Sequence, residues 1–182
     1  MVGAVKAGLM FETDSHDEAT TPVAALFEQY HEVIFAYLVR LLNDAEWAHD
    51  LTQDVFLQVF RHRHKLPQIE NERAWIYRIA SNMAFTALKR RQRFSWLPWR
   101  QDDDWHGYEA GLERQVEEAT AVAQALAQLP ANYRAPLLLY GRYDFSVKEI
   151  AAVLNISEGA VKNRLWRARE QFRRAYKAGD DD

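Results

Sequence analysis

No cysteine occurs among the 182 residues, which excludes disulfide staples and thiolate-ligated metal sites together. Glycine (7) and proline (5) are scarce, too few for a chain of many tight turns, and strictly alternating polarity is rare. Alanine, leucine, arginine, glutamate and glutamine are plentiful instead, a combination that favours helices over sheets. No apolar run approaches the roughly 20 residues that a bilayer-spanning helix requires, so membrane insertion is not expected. The stretch Met1–Met10 holds one lysine and the chain turns acidic at Glu12. That makes a poor signal peptide, and the expected location is cytoplasmic. Gly-rich phosphate loops and nucleophile motifs are missing too, so the chain is not expected to be an enzyme or to carry a cofactor.

What is present is charge, sorted along the chain. The net charge of −3 conceals blocks of opposite sign: residues 23–60 carry −5, 61–94 carry +7, 95–119 carry −5 and 120–178 carry +6. Two separated basic blocks point to two contacts with a polyanion, and the acidic block at 23–60 points to a different partner. Two Glu-x-x-His pairs, Glu28 with His31 and Glu46 with His49, match the spacing of di-iron helical bundles. At 1.5 Å rise per residue they would differ in height by ~15 Å in a helical hairpin, too far to share metals. No metal site is expected.

Apolar periodicity organises the chain. Residues 1–21 have no pattern and read as a disordered tail. From Val23 an apolar stripe of Leu26, Phe27, Tyr30, Ile34, Tyr37, Leu38 and Leu41 predicts a helix. Asn43-Asp44 breaks it and can cap a second helix over 45–63, with Trp47, Leu51, Val55, Val59 and Phe60 as core candidates. Leu66-Pro67-Gln68 reads as a loop. A third helix over 72–92 directs Ile76, Ile79, Ala80, Met83 and Ala87 inward. Residues 95–111 lose all periodicity and read as an acidic linker with sticky aromatics. A four-helix unit follows over 112–178, punctuated by Pro130, and 179–182 form an acidic tail. The expected architecture is all-α: two small helical domains, 22–94 and 112–178, joined by a flexible linker.

The most specific local pattern starts at Ser146, which can cap a helix whose third residue is Glu149, a capping box. That helix, Val147 to Leu154, buries Ile150, Ala151 and Leu154. Asn155-Ile156-Ser157 makes a tight turn with Ile156 pointing back to the core, and Ser157 can cap a second helix. There Val161, Leu165, Ala168 and Phe172 form one buried stripe, and Lys162, Asn163, Trp166, Arg167 and Arg169 occupy the opposite face. A short helix, a three-residue turn and a basic second helix make a helix-turn-helix, whose second helix enters the major groove. Arg and Lys suit guanine there, Asn suits adenine, and an aromatic can meet thymine methyls. Arg173, Arg174 and Lys177 lie further along, where phosphates would be.

Three motifs in order narrow the reading. Ala48-His49-Asp50-Leu51-Thr52-Gln53-Asp54-Val55-Phe56-Leu57 is followed by Arg73-Ala74-Trp75-Ile76-Tyr77-Arg78-Ile79-Ala80-Ser81-Asn82. Later come Ile156-Ser157-Glu158-Gly159-Ala160-Val161-Lys162-Asn163-Arg164-Leu165 and Arg167-Ala168-Arg169. Their order and spacing resemble the extracytoplasmic-function (ECF) sigma factors of bacterial RNA polymerase, over roughly 23–94 and 115–175. The resemblance implies a factor that binds core polymerase, recognises −35 and −10 promoter elements and initiates transcription. By that likeness Asp50, Gln53, Asp54 and Gln58 would dock on the clamp of the largest polymerase subunit. Asn71, Arg73, Trp75, Arg78 and Asn82 would line the site that melts and holds the −10 strand, with Lys89, Arg90 and Arg91 on phosphates. Ser157, Lys162, Asn163, Trp166, Arg167 and Arg169 would serve −35 duplex. The family's partners are core polymerase and promoter DNA, double- and single-stranded, with room for an anti-sigma factor. The competing reading is a helix-turn-helix regulator that never enters polymerase, which predicts a symmetric dimer on a palindrome.

Overall fold

The computed structural model describes residues 17–94 and 113–180. Helices α1 (Asp17–Leu42), α2 (Ala45–Arg61) and α3 (Glu72–Phe94) form the N-terminal unit, with a short 3-10 helix (Arg63–Gln68) between the last two. Helices α4 (Glu113–Ala127), α5 (Ala131–Gly141), α6 (Val147–Leu154) and α7 (Glu158–Asp180) form the C-terminal unit. Every described element is helical. The expected acidic linker, and most of the expected N-terminal tail, lie outside the described residues.

The α1–α2 hairpin follows from two residues. Asn43 takes a left-handed φ of 56°, which asparagine tolerates better than most. Asp44 then caps α2, its carboxylate accepting the Trp47 N–H at 2.9 Å. Helix α1 begins at Asp17, earlier than the pattern from Val23 implied. Ile34, Tyr37, Leu38 and Leu41 of α1 bury against Ala48, Leu51, Val55 and Val59 of α2 and against Ile76, Ala80 and Ala84 of α3.

Several expected core positions turn out otherwise. Phe27 and Phe60 are 44% and 42% exposed. Each follows a buried residue, Leu26 or Val59, by one position, and one step rotates a side chain 100° away from the core stripe. Leu66 to Gln68 is the second half of the 3-10 helix, not a loop, and it is anchored by buried Leu66. In α3 the buried arc includes Tyr77, Ser81 and Ala84, while Ile79, Met83 and Ala87 are half-buried. The arc is turned because α3 packs on two sides, against α1 and α2 and also against α6.

That last contact also brings the two helical units together. The helical units meet along a seam where α3 lies on α6 and α1 lies on α5 and α4. Tyr37 and Tyr77 of the N-terminal unit bring their rings 5.6 and 5.4 Å from that of Tyr143, and Tyr77 stands edge-on to Phe145 at 4.9 Å. Such pairs add ~0.5–1.5 kcal/mol each beyond the area they bury. Burial pushes the phenols of Tyr37, Tyr77 and Tyr143 upward from their ordinary pKa, so they stay neutral. Buried Arg134 of α5 closes the seam's other end, donating to the carbonyl oxygen of Leu41 at 3.1 Å.

Candidate nucleic-acid and polymerase interfaces

The helix-turn-helix is built by local capping. The Ser146 hydroxyl accepts the Glu149 N–H at 3.2 Å, and a Glu149 carboxylate oxygen accepts the Ser146 N–H at 2.9 Å. The Ser146 N–H and, at 2.7 Å, the Ser146 hydroxyl both donate to that carboxylate and hold it below the usual carboxylate range. Asn155 ends α6 with a left-handed φ of 52°, the common helix stop for a short polar side chain. The Ser157 hydroxyl then accepts the Ala160 N–H at 3.2 Å, capping α7. Val161, Leu165 and Ala168 are buried, with Phe172 half-buried at the end of their stripe.

The opposite face of α7 is open. Lys162, Asn163, Trp166, Arg167 and Arg169 are exposed, and Trp166, at 66%, is the most exposed of the large apolar side chains described. Arg167 is steadied by the Tyr133 hydroxyl at 3.4 Å, and the Arg169 guanidinium lies 5.2 Å from the Tyr140 ring centre. Ser157 is exposed, but its hydroxyl is engaged as the cap.

On α2, Asp50, Gln53 and Asp54 are exposed and Gln58 is half-exposed. Sequence reasoning missed Leu57, 52% exposed, and misplaced Phe60 in the core. Both share the helical face of Asp50, Gln53 and Asp54, because positions 50, 53, 54, 57, 60 and 61 fall within one arc. The signal was available: an apolar residue inside an acidic, outward-facing arc.

The −10 set divides. Asn71 caps α3, its side-chain oxygen accepting the Ala74 N–H at 2.9 Å, while its amide donates to Glu149 at 3.3 Å. Arg73 donates to the Tyr143 carbonyl and lies 4.2 Å over the Phe145 ring. Arg78 donates through Nε to the Ala152 carbonyl at 2.9 Å. These three face the C-terminal unit. Trp75 is half-buried against the core. Asn82, Lys89 and Arg90 are exposed. Arg91 pairs with Asp44 at 3.4 Å and lies 5.4 Å from the Trp47 ring centre, so its cation already has an internal partner.

A helix-turn-helix joined to a helical unit with an acidic exposed face and a basic third helix is the arrangement expected of the sigma class of transcription-initiation protein. The sequence bears this out in chain order: residues 26–94 match the family model "Sigma-70 region 2" and residues 119–172 match "Sigma-70, region 4". The ECF RNA polymerase sigma factor SigM of Bacillus subtilis is 25% identical over 162 residues, covering 86% of this chain and 96% of that protein. The ECF sigma factor SigL of Mycobacterium tuberculosis is 32% identical over 151 residues, covering 78% and 81%. The fold is shared with the sigma factor RpoE of Bartonella quintana, solved in complex with the anti-sigma factor NepR. That match has a TM-score of 0.69 and 23% identity over 86% of this chain and 98% of that one. The chain belongs to the ECF family of RNA polymerase sigma factors, and the regulator that works without polymerase is not favoured. Among the described residues no helix is long and apolar enough to cross a membrane.

Proposed function

We propose that this alternative sigma factor divides its work between its two helical units. The unit over 22–94 docks on core polymerase and opens the −10 element, and the unit over 112–178 reads −35 duplex. The exposed face of α7 is the observation that carries the reading. Four polar or basic side chains and a bare tryptophan stand on the outer side of a capped helix, where the fold gives the tryptophan no core to fill. Lys162, Asn163, Trp166 and Arg167 read base edges, and Arg169 stands beside them. Ser157 sets the start of the helix and offers its N-terminus to a phosphate.

Docking on the polymerase clamp falls to Asp50, Gln53, Asp54 and Gln58, whose acidic character steers approach to a basic partner. Leu57 at the centre of that arc supplies the apolar contact that such interfaces need. Asn71, Arg73, Trp75, Arg78 and Asn82 take up the unstacked −10 strand, with Lys89, Arg90 and Arg91 toward its phosphates. The chain performs no chemistry of its own, needs no cofactor and works in the cytoplasm, where its polymerase partner is. An anti-sigma factor, the kind of partner bound to the structural relative, is the expected inhibitor.

Transcription from genomic DNA by purified core polymerase, with and without the chain, tests this. New discrete start sites are expected, lost with Arg167→Ala or Asp54→Ala. A footprint from the protein alone on a palindrome, without core-dependent initiation, sinks the proposal.

A further inference from the structure

Three side chains that the reading above assigns to the −10 strand already have acceptors. Asn71, Arg73 and Arg78 donate to the Glu149 carboxylate, the Tyr143 carbonyl and the Ala152 carbonyl. Two of those acceptors are main-chain oxygens, and Ala152 lies in the last turn of α6. Carbonyls there have no partner within the helix and sit at the negative end of its dipole. The Ala152 carbonyl presents to Arg78, and the Tyr143 carbonyl of the α5–α6 loop presents to Arg73, what a phosphate would present, oxygen carrying partial negative charge. Phe145 beneath the Arg73 guanidinium likewise stands where a base would stack. The −35 face differs. Lys162, Asn163, Trp166 and Arg167 are exposed, and the bond that Arg167 makes, to Tyr133, stays within its own domain.

Resting on that reading, we propose that the C-terminal domain competes with promoter single strand for the −10 face, leaving the free chain closed to −10 DNA but open to −35 duplex. The two uses compete for some of the same donors and for the same space. Arg78 Nε carries one hydrogen, committed to Ala152. A strand seated along the first turns of α3 would also occupy the space that α6 fills. The seam can still open. A cleft of about 360 Å³, lined by Tyr30, Arg73, Arg142 and Tyr143 among others, brings water beside the Arg73 bond. Tyr143, wedged against Tyr37 and Tyr77 at the centre of the seam, has no part in the proposed DNA contacts.

Tyr143→Ala therefore separates masking from binding. The free full-length chain is titrated by fluorescence anisotropy with two probes from a promoter mapped by the transcription assay. One is the single-stranded non-template −10 oligonucleotide and the other is the −35 duplex. Apparent affinity scales with the open fraction, so the variant is expected to bind the −10 strand at least about tenfold more tightly. Its −35 affinity should stay within about twofold. Holoenzymes made with either chain should initiate alike. Unchanged −10 affinity in a folded variant, with active holoenzymes, overturns the masking alone; failure of the wild-type holoenzyme to initiate overturns the underlying assignment and the masking with it. A second measurement covers a variant that fails to fold. The chain has no cysteine, so spin labels go cleanly on Glu32→Cys and Lys148→Cys in the otherwise native chain. The −10 strand should lengthen their separation and the −35 duplex should not. A −10 strand that binds without lengthening it refutes the competition.

Discussion

Replacing Arg134 with alanine would strip donors from the ends of two helices at once. One guanidinium nitrogen donates to the Leu41 carbonyl at 3.1 Å and reaches that of Arg40 at 3.5 Å, both in the last turn of α1. The other donates to the carbonyls of Ala127, at the end of α4, and of Leu129 just beyond, the latter at 2.7 Å. Carbonyls at a helix C-terminus have no partner in the helix, and Arg134 is only 7% exposed, so water cannot readily substitute. Hydrogen bonds to a charged donor are worth ~1.5–3 kcal/mol each and do not add fully. Returning the guanidinium to water in the unfolded reference offsets part of the loss. The net destabilisation expected is ~2–4 kcal/mol, a large share of the ~5–15 kcal/mol typical of a folded domain.

Urea unfolding followed by helical circular dichroism measures it. With a slope of ~2 kcal/mol/M, the midpoint should fall by roughly 1–2 M. Arg134→Lys is the informative control. A single ammonium cannot reach two helix ends as the planar fork does, so lysine should recover less than half of the loss. The α1 share also depends on the closed seam and the α4 share does not. In a Tyr143→Ala background the cost of Arg134→Ala should therefore shrink, a coupling that a double-mutant cycle reads directly. A loss under about 1 kcal/mol, or a lysine variant as stable as wild type, would refute the argument that two helix termini share this side chain.

Trp166→Ala should weaken −35 duplex binding by ~1–3 kcal/mol in an anisotropy titration, while leaving stability within ~0.5 kcal/mol because the side chain is largely exposed. Leu57→Ala should weaken binding to core polymerase by roughly 1 kcal/mol, from the apolar area it would bury, without altering the fold; equal affinity would remove Leu57 from the docking face. The Glu149 carboxyl is depressed in the folded state by its bonds from Ser146. Its contribution to stability is therefore full above the ordinary carboxylate pKa and is lost as pH falls through the folded value. Unfolding free energy measured from pH 7 downward should drop more steeply for wild type than for Glu149→Gln, and parallel curves would count against it.

Legibility in the sequence followed the range of the interaction. Local devices were readable because their partners lie within four residues: the Ser146–Glu149 box, the Ser157 cap, the Asp44 cap and the Val161–Leu165–Ala168 stripe all follow from spacing. Burial along α3 was read less well, since its arc is set from two sides and on one of them it meets α6 through residues more than seventy apart in sequence. Tyr77 and Ser81 look like ordinary half-polar positions until Tyr143, Phe145 and the Tyr37 hydroxyl are brought against them. The side chains on the two proposed DNA faces were named from motif position, but motif position could not show that Asn71 would meet the Glu149 carboxylate, or that Arg73 and Arg78 would meet backbone oxygens of the same chain. A basic residue signals an acceptor without saying whose.

That ambiguity has an energetic consequence. If closure outweighed opening a hundredfold, the free chain would give up ~2.8 kcal/mol of affinity for the −10 strand, a figure within reach of a few hydrogen bonds and ring contacts. Polymerase, if it docks on the α2 face as proposed, need supply only that much differential binding to the open form to release the mask. Linkage makes the effect reciprocal, so −10 single strand should raise the affinity of the chain for core polymerase by the same factor that polymerase raises its affinity for the strand. A measured factor of one in either direction would mean that the seam and the docking face are energetically independent, and that the contacts of Asn71, Arg73 and Arg78 with the C-terminal domain have no bearing on promoter opening.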